Sequence, residues 1–156
     1  MSGIAEPNGD FMRIVTWNIN SIRQRLHLIE MFDKEHAPDV ICLQEIKAQN
    51  KDFPGDELRA MGFTHQAVMG QKGYNGVAIL SKLPFEAEGT RHWVGKEDSR
   101  HQFVTLPGGI ELHNFYVPAG GDEPDREKNE KFGHKLDFVD EMAEWFPKHK
   151  SNSDPM

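Results

Sequence analysis

Apolar positions along this chain change period several times, and each change marks an element. Residues 13–18 form a short apolar run read as a strand. Ile22, Leu26, Ile29 and Phe32 then recur at i, i+4, i+7 and i+10, which predicts a helix over residues 21–37. Ser21 and Gln24 have the spacing of a capping box, and Pro38 closes the helix. Residues 40–43 are too few for a helix and too continuously apolar for a half-exposed strand, so they predict a buried, parallel strand. Residues 54–61, closed by Gly62, predict a short helix that begins at proline.

From there the pattern is strand-rich. Residues 63–69 alternate and residues 76–81 are apolar, with Asn75-Gly76 as a hairpin-type turn signal. Residues 102–106 and 110–117 flank Pro107-Gly108-Gly109 and predict a β-hairpin. After a Gly/Asp/Pro-rich loop at 118–125, Phe132, Leu136, Val139, Ala143 and Phe146 form the stripe of a long helix. This order predicts an α/β fold with a mixed sheet. Helices over 21–37 and 129–146 are expected to cover one sheet face only. The other face, with Phe103, Ile110, Leu112 and the strand 77–80, would then lack a partner. An apolar area of that size predicts aggregation, dimerisation or partial unfolding.

Composition narrows the function. The 156 residues suffice for one domain, with residues 1–12 as a disordered tail, 13–150 as the folded portion and 151–156 as a polar loop. A net charge of −7 argues against a non-specific polyanion binder, while leaving room for a local basic groove. Cys42 is the single cysteine, so no intrachain disulfide forms, and its apolar strand makes it a buried, inert thiol. Neither a leader nor an apolar run long enough to span a bilayer is visible, so a reducing, cytoplasmic location is the expectation. Eight histidines are present without His-Glu-x-x-His spacing, and there is no Gly-x-Ser-x-Gly elbow or Walker-type loop.

The candidate chemistry sits at strand ends. Asn18 follows the first strand and Glu45 follows the second, where open α/β sheets bind ligands. One carboxylate with water and phosphate oxygens suits Mg²⁺. From position alone, Glu45 reads first as a solvated loop residue, and Asn18 reads also as a turn residue. Tyr116, at the end of the strand leading into Pro118-Ala119-Gly120-Gly121, could place its hydroxyl near a phosphate or simply pack. Lys72, in the Gly-punctuated turn before residue 76, and the isolated cations Arg100 and Lys131 could meet phosphates or remain solvated surface charges.

Together these segments resemble the exonuclease III family of apurinic/apyrimidinic endonucleases, within the endonuclease/exonuclease/phosphatase superfamily. The motifs are Trp17-Asn18-Ile19-Asn20-Ser21-Ile22-Arg23, Pro38-Asp39-Val40-Ile41-Cys42-Leu43-Gln44-Glu45-Ile46-Lys47, Gly70-Gln71-Lys72-Gly73-Tyr74-Asn75-Gly76-Val77-Ala78-Ile79, Asn114-Phe115-Tyr116-Val117-Pro118-Ala119-Gly120, and Asn129-Glu130-Lys131-Phe132. The resemblance runs over roughly residues 13–146, and the order of five motifs makes it specific. It implies part of a four-layer α/β sandwich of the DNase I-like kind, with Glu45 binding Mg²⁺ or Mn²⁺ and Asn18 helping to hold that site. It further implies Tyr116 as the active-site tyrosine near the phosphate and Lys131 and Arg100 as DNA-side or active-site cations; Lys72, from its place in the turn, is a further candidate DNA contact.

The implied reaction is hydrolysis of duplex DNA at abasic sites and 3′ ends by a monomeric enzyme. The family's later Gly-Asp-x-Asn strand, second acidic residue and Ser-Asp-His motif have no counterpart, and His101 and His113 do not occupy them. The expectation is therefore a C-terminal half missing and a chain inert by itself. A phosphoesterase of the same superfamily with a non-DNA substrate, or a non-catalytic DNA- or partner-binding half-domain, stays open.

Overall fold

The structure, a computed structural model, describes residues 11–151 together with 154 and 155. Its elements in order are β1 (Ile14–Asn18), α1 (Ile22–His36), β2 (Val40–Gln44), a 3-10 turn (Asn50–Asp52), α2 (Gly55–Ala60), β3 (His65–Met69), β4 (Val77–Ser81), β5 (Ala87–Gly89), β6 (His101–Leu106), β7 (Ile110–Phe115) and α3 (Glu130–His149). Strands β1-β2-β4-β3 form one mixed sheet, with β1 parallel to β2 and the other pairs antiparallel. Strands β5-β6-β7 form a second, antiparallel sheet.

Side-chain alternation in β2 and β4 separates two cores. Ile41, Leu43, Ala78 and Leu80 pack with Ile22 and Ile29 of α1 and Leu58 of α2. On the opposite face, Val40, Cys42, Ala67 and Ile79 pack with Val104 and Leu106 of β6, and Ile110 and Leu112 of β7 lie against them. Because successive strand residues face opposite sides, one strand serves both cores. A third apolar layer lies on the outer face of the second sheet, where Trp93 meets Phe115 and the α3 residues Phe138, Trp145 and Phe146 at ring separations of 5.5–6.4 Å. The layers are therefore helices, sheet, sheet, helix.

This arrangement corrects the expectation of an uncovered sheet face. Residues 101–106 and 110–115 form the second sheet itself, and Ile110 and Leu112 belong to the contact between the sheets. The helices lie on opposite outer faces. The α3 stripe also differs from the one read in the sequence. Phe138 is buried while Val139 is 43% exposed, because the aromatic pocket around Trp93 draws in Phe138 and Trp145. Pro147 lies within the last turns of α3, which continues to His149.

Two local signals have different uses from those expected. Ser21 makes no side-chain cap; its φ is 84° and its N–H donates to Glu45 O at 2.8 Å, extending the β1–β2 ladder. Asn75-Gly76 ends the longer 70–76 connection, since Met69 pairs with Val77. Gly76 has φ 85°, and a Cβ there would lie 2.6 Å from Ile46 Cγ1, so the position requires glycine. The proposed tail lies outside the described residues up to residue 10, and Met12 already packs against the inter-sheet core. Cys42 is buried, and burial pushes its thiol up to about 12, as an inert core cysteine requires.

Candidate active site

Parallel pairing of β1 with β2 brings Asn18 level with Gln44, so both strands deliver their next residues at one end of the sheet. The ladder continues beyond the strands. Ile19 N–H donates to Gln44 O at 3.0 Å and Ile22 N–H to Ile46 O at 3.1 Å, while Ile46 and Lys47 N–H groups donate to Gly76 and Asn75 carbonyls, each at 3.1 Å. Segment 45–47 is thus fixed on both sides. Asn20, Ser21, Glu45, Lys47, Asn75 and Ser99 all have positive φ, from 46° to 84°. Left-handed backbone at non-glycine residues costs of order 1–3 kcal/mol each, and such strain gathers where side chains must be aimed.

Glu45 is the hub. Its Oε1 accepts from Asn18 Nδ2 at 2.9 Å and from the Tyr116 hydroxyl at 2.8 Å, and its Oε2 lies 3.2 Å from Lys47 Nζ. Asn18 Oδ1 accepts from Asn20 N–H at 3.2 Å, which turns the amide nitrogen toward Glu45. Lys47 Nζ also donates to Asn20 Oδ1 at 2.5 Å. The Asn18 hydrogen bond is the main influence holding the Glu45 carboxyl below its ordinary range; partial burial opposes it, and Tyr116 and Lys47 reinforce it. Burial, then the Glu45 hydrogen bond and charge, push the Tyr116 phenol upward, so the hydroxyl keeps its proton.

Arg100 joins this group from β6's leading edge. Its guanidinium lies 4.9 Å from the Tyr116 ring centroid, Nη1 donates to Tyr116 O at 3.2 Å, and Nε donates to Asp98 Oδ2 at 2.6 Å. The sequence candidates Asn18, Glu45, Tyr116 and Arg100 are therefore brought together. Lys72 is exposed in the β3–β4 connection and Lys131 is exposed in the first turn of α3. Neither has a hydrogen bond or ion pair to the Glu45 group among the described residues.

The donor set bears on a metal. Among the described residues no group of three or more His, Cys, Asp or Glu side chains is placed to hold an ion. A half-buried, ionised Glu45 with Lys47 against its second oxygen still suits a hard cation that retains most of its water. Glu45 would be the direct ligand and Asn18 the group that fixes its carboxylate.

The match to the Endonuclease/Exonuclease/phosphatase family spans residues 15–156. The chain belongs to this family. It is 31% identical over 150 residues to exodeoxyribonuclease III of Haemophilus influenzae, covering 93% of this chain and 55% of that protein. It is 29% identical over 113 residues to a DNA-(apurinic or apyrimidinic site) endonuclease of Dictyostelium discoideum, covering 70% of this chain and 31% of that one. An AP endonuclease structure from Archaeoglobus fulgidus superposes with TM-score 0.82 at 32% identity, over 92% of this chain and 54% of that one. A Neisseria 3′ phosphatase bound to a product DNA hairpin superposes with TM-score 0.68 at 33% identity, over 85% and 53%. The chain thus spans about half the length of the exodeoxyribonuclease III and of these two structures. Its fold is the corresponding portion of a DNase I-like nuclease, and its relatives are DNA-repair enzymes.

Two members of this side-chain cluster escape a reading of strand ends. Lys47 follows Glu45 by two residues, and that i, i+2 spacing was the available signal. Asp98 is aimed at Arg100 from a connection without regular structure, and no sequence pattern announces it.

Proposed function

We propose that residues 13–150 form the N-terminal portion of an exodeoxyribonuclease III-type nuclease, which hydrolyses phosphodiesters at abasic sites and 3′ ends of duplex DNA with Mg²⁺ or Mn²⁺. The observation that carries this reading is the convergence of Asn18 and Tyr116 on one oxygen of Glu45 from two different sheets. When bound, the cation neutralises phosphate charge. Asn18 and Tyr116 together orient Glu45, and Tyr116, kept protonated, holds its hydroxyl beside the place of the phosphate. Arg100 places positive charge behind the tyrosine, and Lys131 and Lys72 meet the DNA backbone further out. Local cations thereby oppose the overall charge of −7.

Among the described residues the carboxylates of this site are Glu45, read as the cation ligand, and Asp98, tied to Arg100, and neither is a free, positioned general base, so the 156-residue chain alone is expected to be inert. The intact enzyme is monomeric and acts in the cytoplasm, where a buried, unpaired Cys42 stays reduced. No helix among the described residues is long and apolar enough to cross a membrane.

A second reading, removal of 3′ phosphates, is favoured by the Neisseria 3′ phosphatase superposition. The test is a cleavage assay on three duplexes, carrying an internal abasic site, a free 3′ end or a 3′ phosphate. It uses the chain completed to the length of its relatives, with and without Mg²⁺. Cation-dependent incision at the abasic site is expected. Action on the 3′ phosphate alone would replace the first reading with the second.

A further inference from the structure

Beneath the Glu45–Tyr116 contact lies a buried pair of amides, Gln44 and Asn114, 9% and 2% exposed. Gln44 closes β2 and directly precedes Glu45; Asn114 lies in β7, two residues before Tyr116 and on the same strand face. Gln44 Nε2 donates to Asn114 Oδ1 at 2.8 Å and to Thr16 Oγ1 at 3.0 Å, with Cys42 O at 3.3 Å. Asn114 Nδ2 donates to Leu43 O at 2.9 Å and to Ala78 O at 3.0 Å. One side chain of the second sheet thus grips two strands of the first, and Gln44 carries the network on to β1.

The buried core around this pair, between the sheets, is apolar and includes Val40, Cys42, Ile79, Val104 and Leu106. Apolar packing is non-directional and tolerates sliding of one sheet over the other. Buried amides do not, because a displaced amide leaves buried donors and acceptors unpaired. Within that buried core the amide pair is the directional element, and it stands one and two residues behind the two side chains that must meet.

We propose that the Gln44–Asn114 amide pair is a positioning device that sets the two sheets so that the Tyr116 hydroxyl reaches Glu45. This rests on reading Glu45 and Tyr116 as an active-site pair, but the geometry can be tested without any nuclease activity. The chain has two tyrosines, and Tyr74 is 59% exposed. With Tyr74→Phe as the background, Tyr116 is the sole tyrosine. Carbon-13 at its Cζ then reports by NMR, at constant neutral pH, whether the hydroxyl donates to a carboxylate.

Glu45→Ala defines the shift of the broken contact. We expect Asn114→Leu to move the Cζ resonance most of the way to that value, and Gln44→Met to move it at least part of the way. Circular dichroism and thermal melts identify the variants that remain folded. If Asn114→Leu does not fold, the milder Gln44→Met, which leaves the Asn114 bonds to Leu43 and Ala78 in place, decides the question. A folded Gln44→Met chain with a lowered melting temperature and the parent Cζ shift would show ordinary core stabilisation and overturn the proposal. A failed cleavage assay alongside a shifted Cζ resonance would remove the nuclease reading and leave the positioning intact.

Discussion

The Tyr116 hydroxyl donates to Glu45 Oε1 at 2.8 Å, so one hydrogen bond joins the ends of the two sheets. The bond acts on both groups, favouring the ionised carboxylate and the protonated phenol. Replacing Tyr116 by Phe keeps the ring under Arg100 and removes only the donor. In the chain extended to the length of its relatives we expect about a tenfold or greater loss of kcat, with a denaturation midpoint lowered by no more than the loss of one partly exposed charge-assisted hydrogen bond. Steady-state kinetics and urea melts check this; an unchanged kcat would remove Tyr116 from the chemistry.

Asn18 should govern the ionisation of Glu45. The folded carboxyl is held below the ordinary 4.5, chiefly by the Asn18 bond. Its stabilising contribution is therefore fully present above pH 4.5 and disappears as pH falls through the lower folded value. In metal-free buffer, Asn18→Ala should shift the Glu45 carboxyl titration upward, as followed by carbon-13 NMR. A titration identical to that of the parent would contradict this role.

His101 and His113 form a buried relay with one consistent proton arrangement. Arg91 N–H donates to His101 Nδ1 at 3.1 Å, His101 Nε2 faces His113 Nδ1 at 2.9 Å, and His113 Nε2 faces Glu111 Oε1 at 2.6 Å. Lys150 Nζ closes the chain on Glu111, Arg91 pairs with Glu141 of α3, and His149 lines the same cavity. With both imidazoles neutral, every bond has one donor. A further proton on His101 would face the Arg91 N–H. Burial, followed by the His113 charge, lowers His101 from 6.5 to about 4. The unfolded chain thus binds the proton first, and stability falls as pH drops from 6.5 toward 4. The loss should be roughly 3 kcal/mol. Urea midpoints between pH 4 and 7 should fall less steeply for His101→Gln than for the parent; parallel profiles would refute this.

Trp93 anchors α3 to the second sheet. It is 2% exposed and touches Phe115, Phe138, Trp145 and Phe146. Trp93→Ala should cost about 3–5 kcal/mol, seen as a lower urea midpoint and loss of the near-ultraviolet aromatic signal. A change below about 0.5 kcal/mol, the level of a surface substitution, would mean that α3 docks by other contacts.

The strand-end residues are legible because they are local features. A run such as Val40 to Leu43 must be buried, and the polar residues after it must emerge at the sheet end. Relations between distant segments are not local. Asn114 lies 70 residues from Gln44, and nothing in either segment says which partner faces it. The same limit explains the misplaced sheet. Residues 101–115 alternate like any half-buried hairpin, and alternation does not reveal whether the apolar side meets a helix or another sheet. The α3 stripe moved for a related reason. Its partner, Trp93, comes from a connection with no periodic pattern, so the helix sequence alone did not show which face would be drawn in.

We propose Glu45 as the metal-holding carboxylate of a DNA-repair nuclease. Its most direct test is Glu45→Ala in the chain completed to the length of its relatives, assayed on an abasic-site duplex across a Mg²⁺ titration. We expect a loss of roughly a hundredfold or more in rate, together with a higher Mg²⁺ requirement. Parent-like turnover by Glu45→Ala at low Mg²⁺ would contradict the assignment.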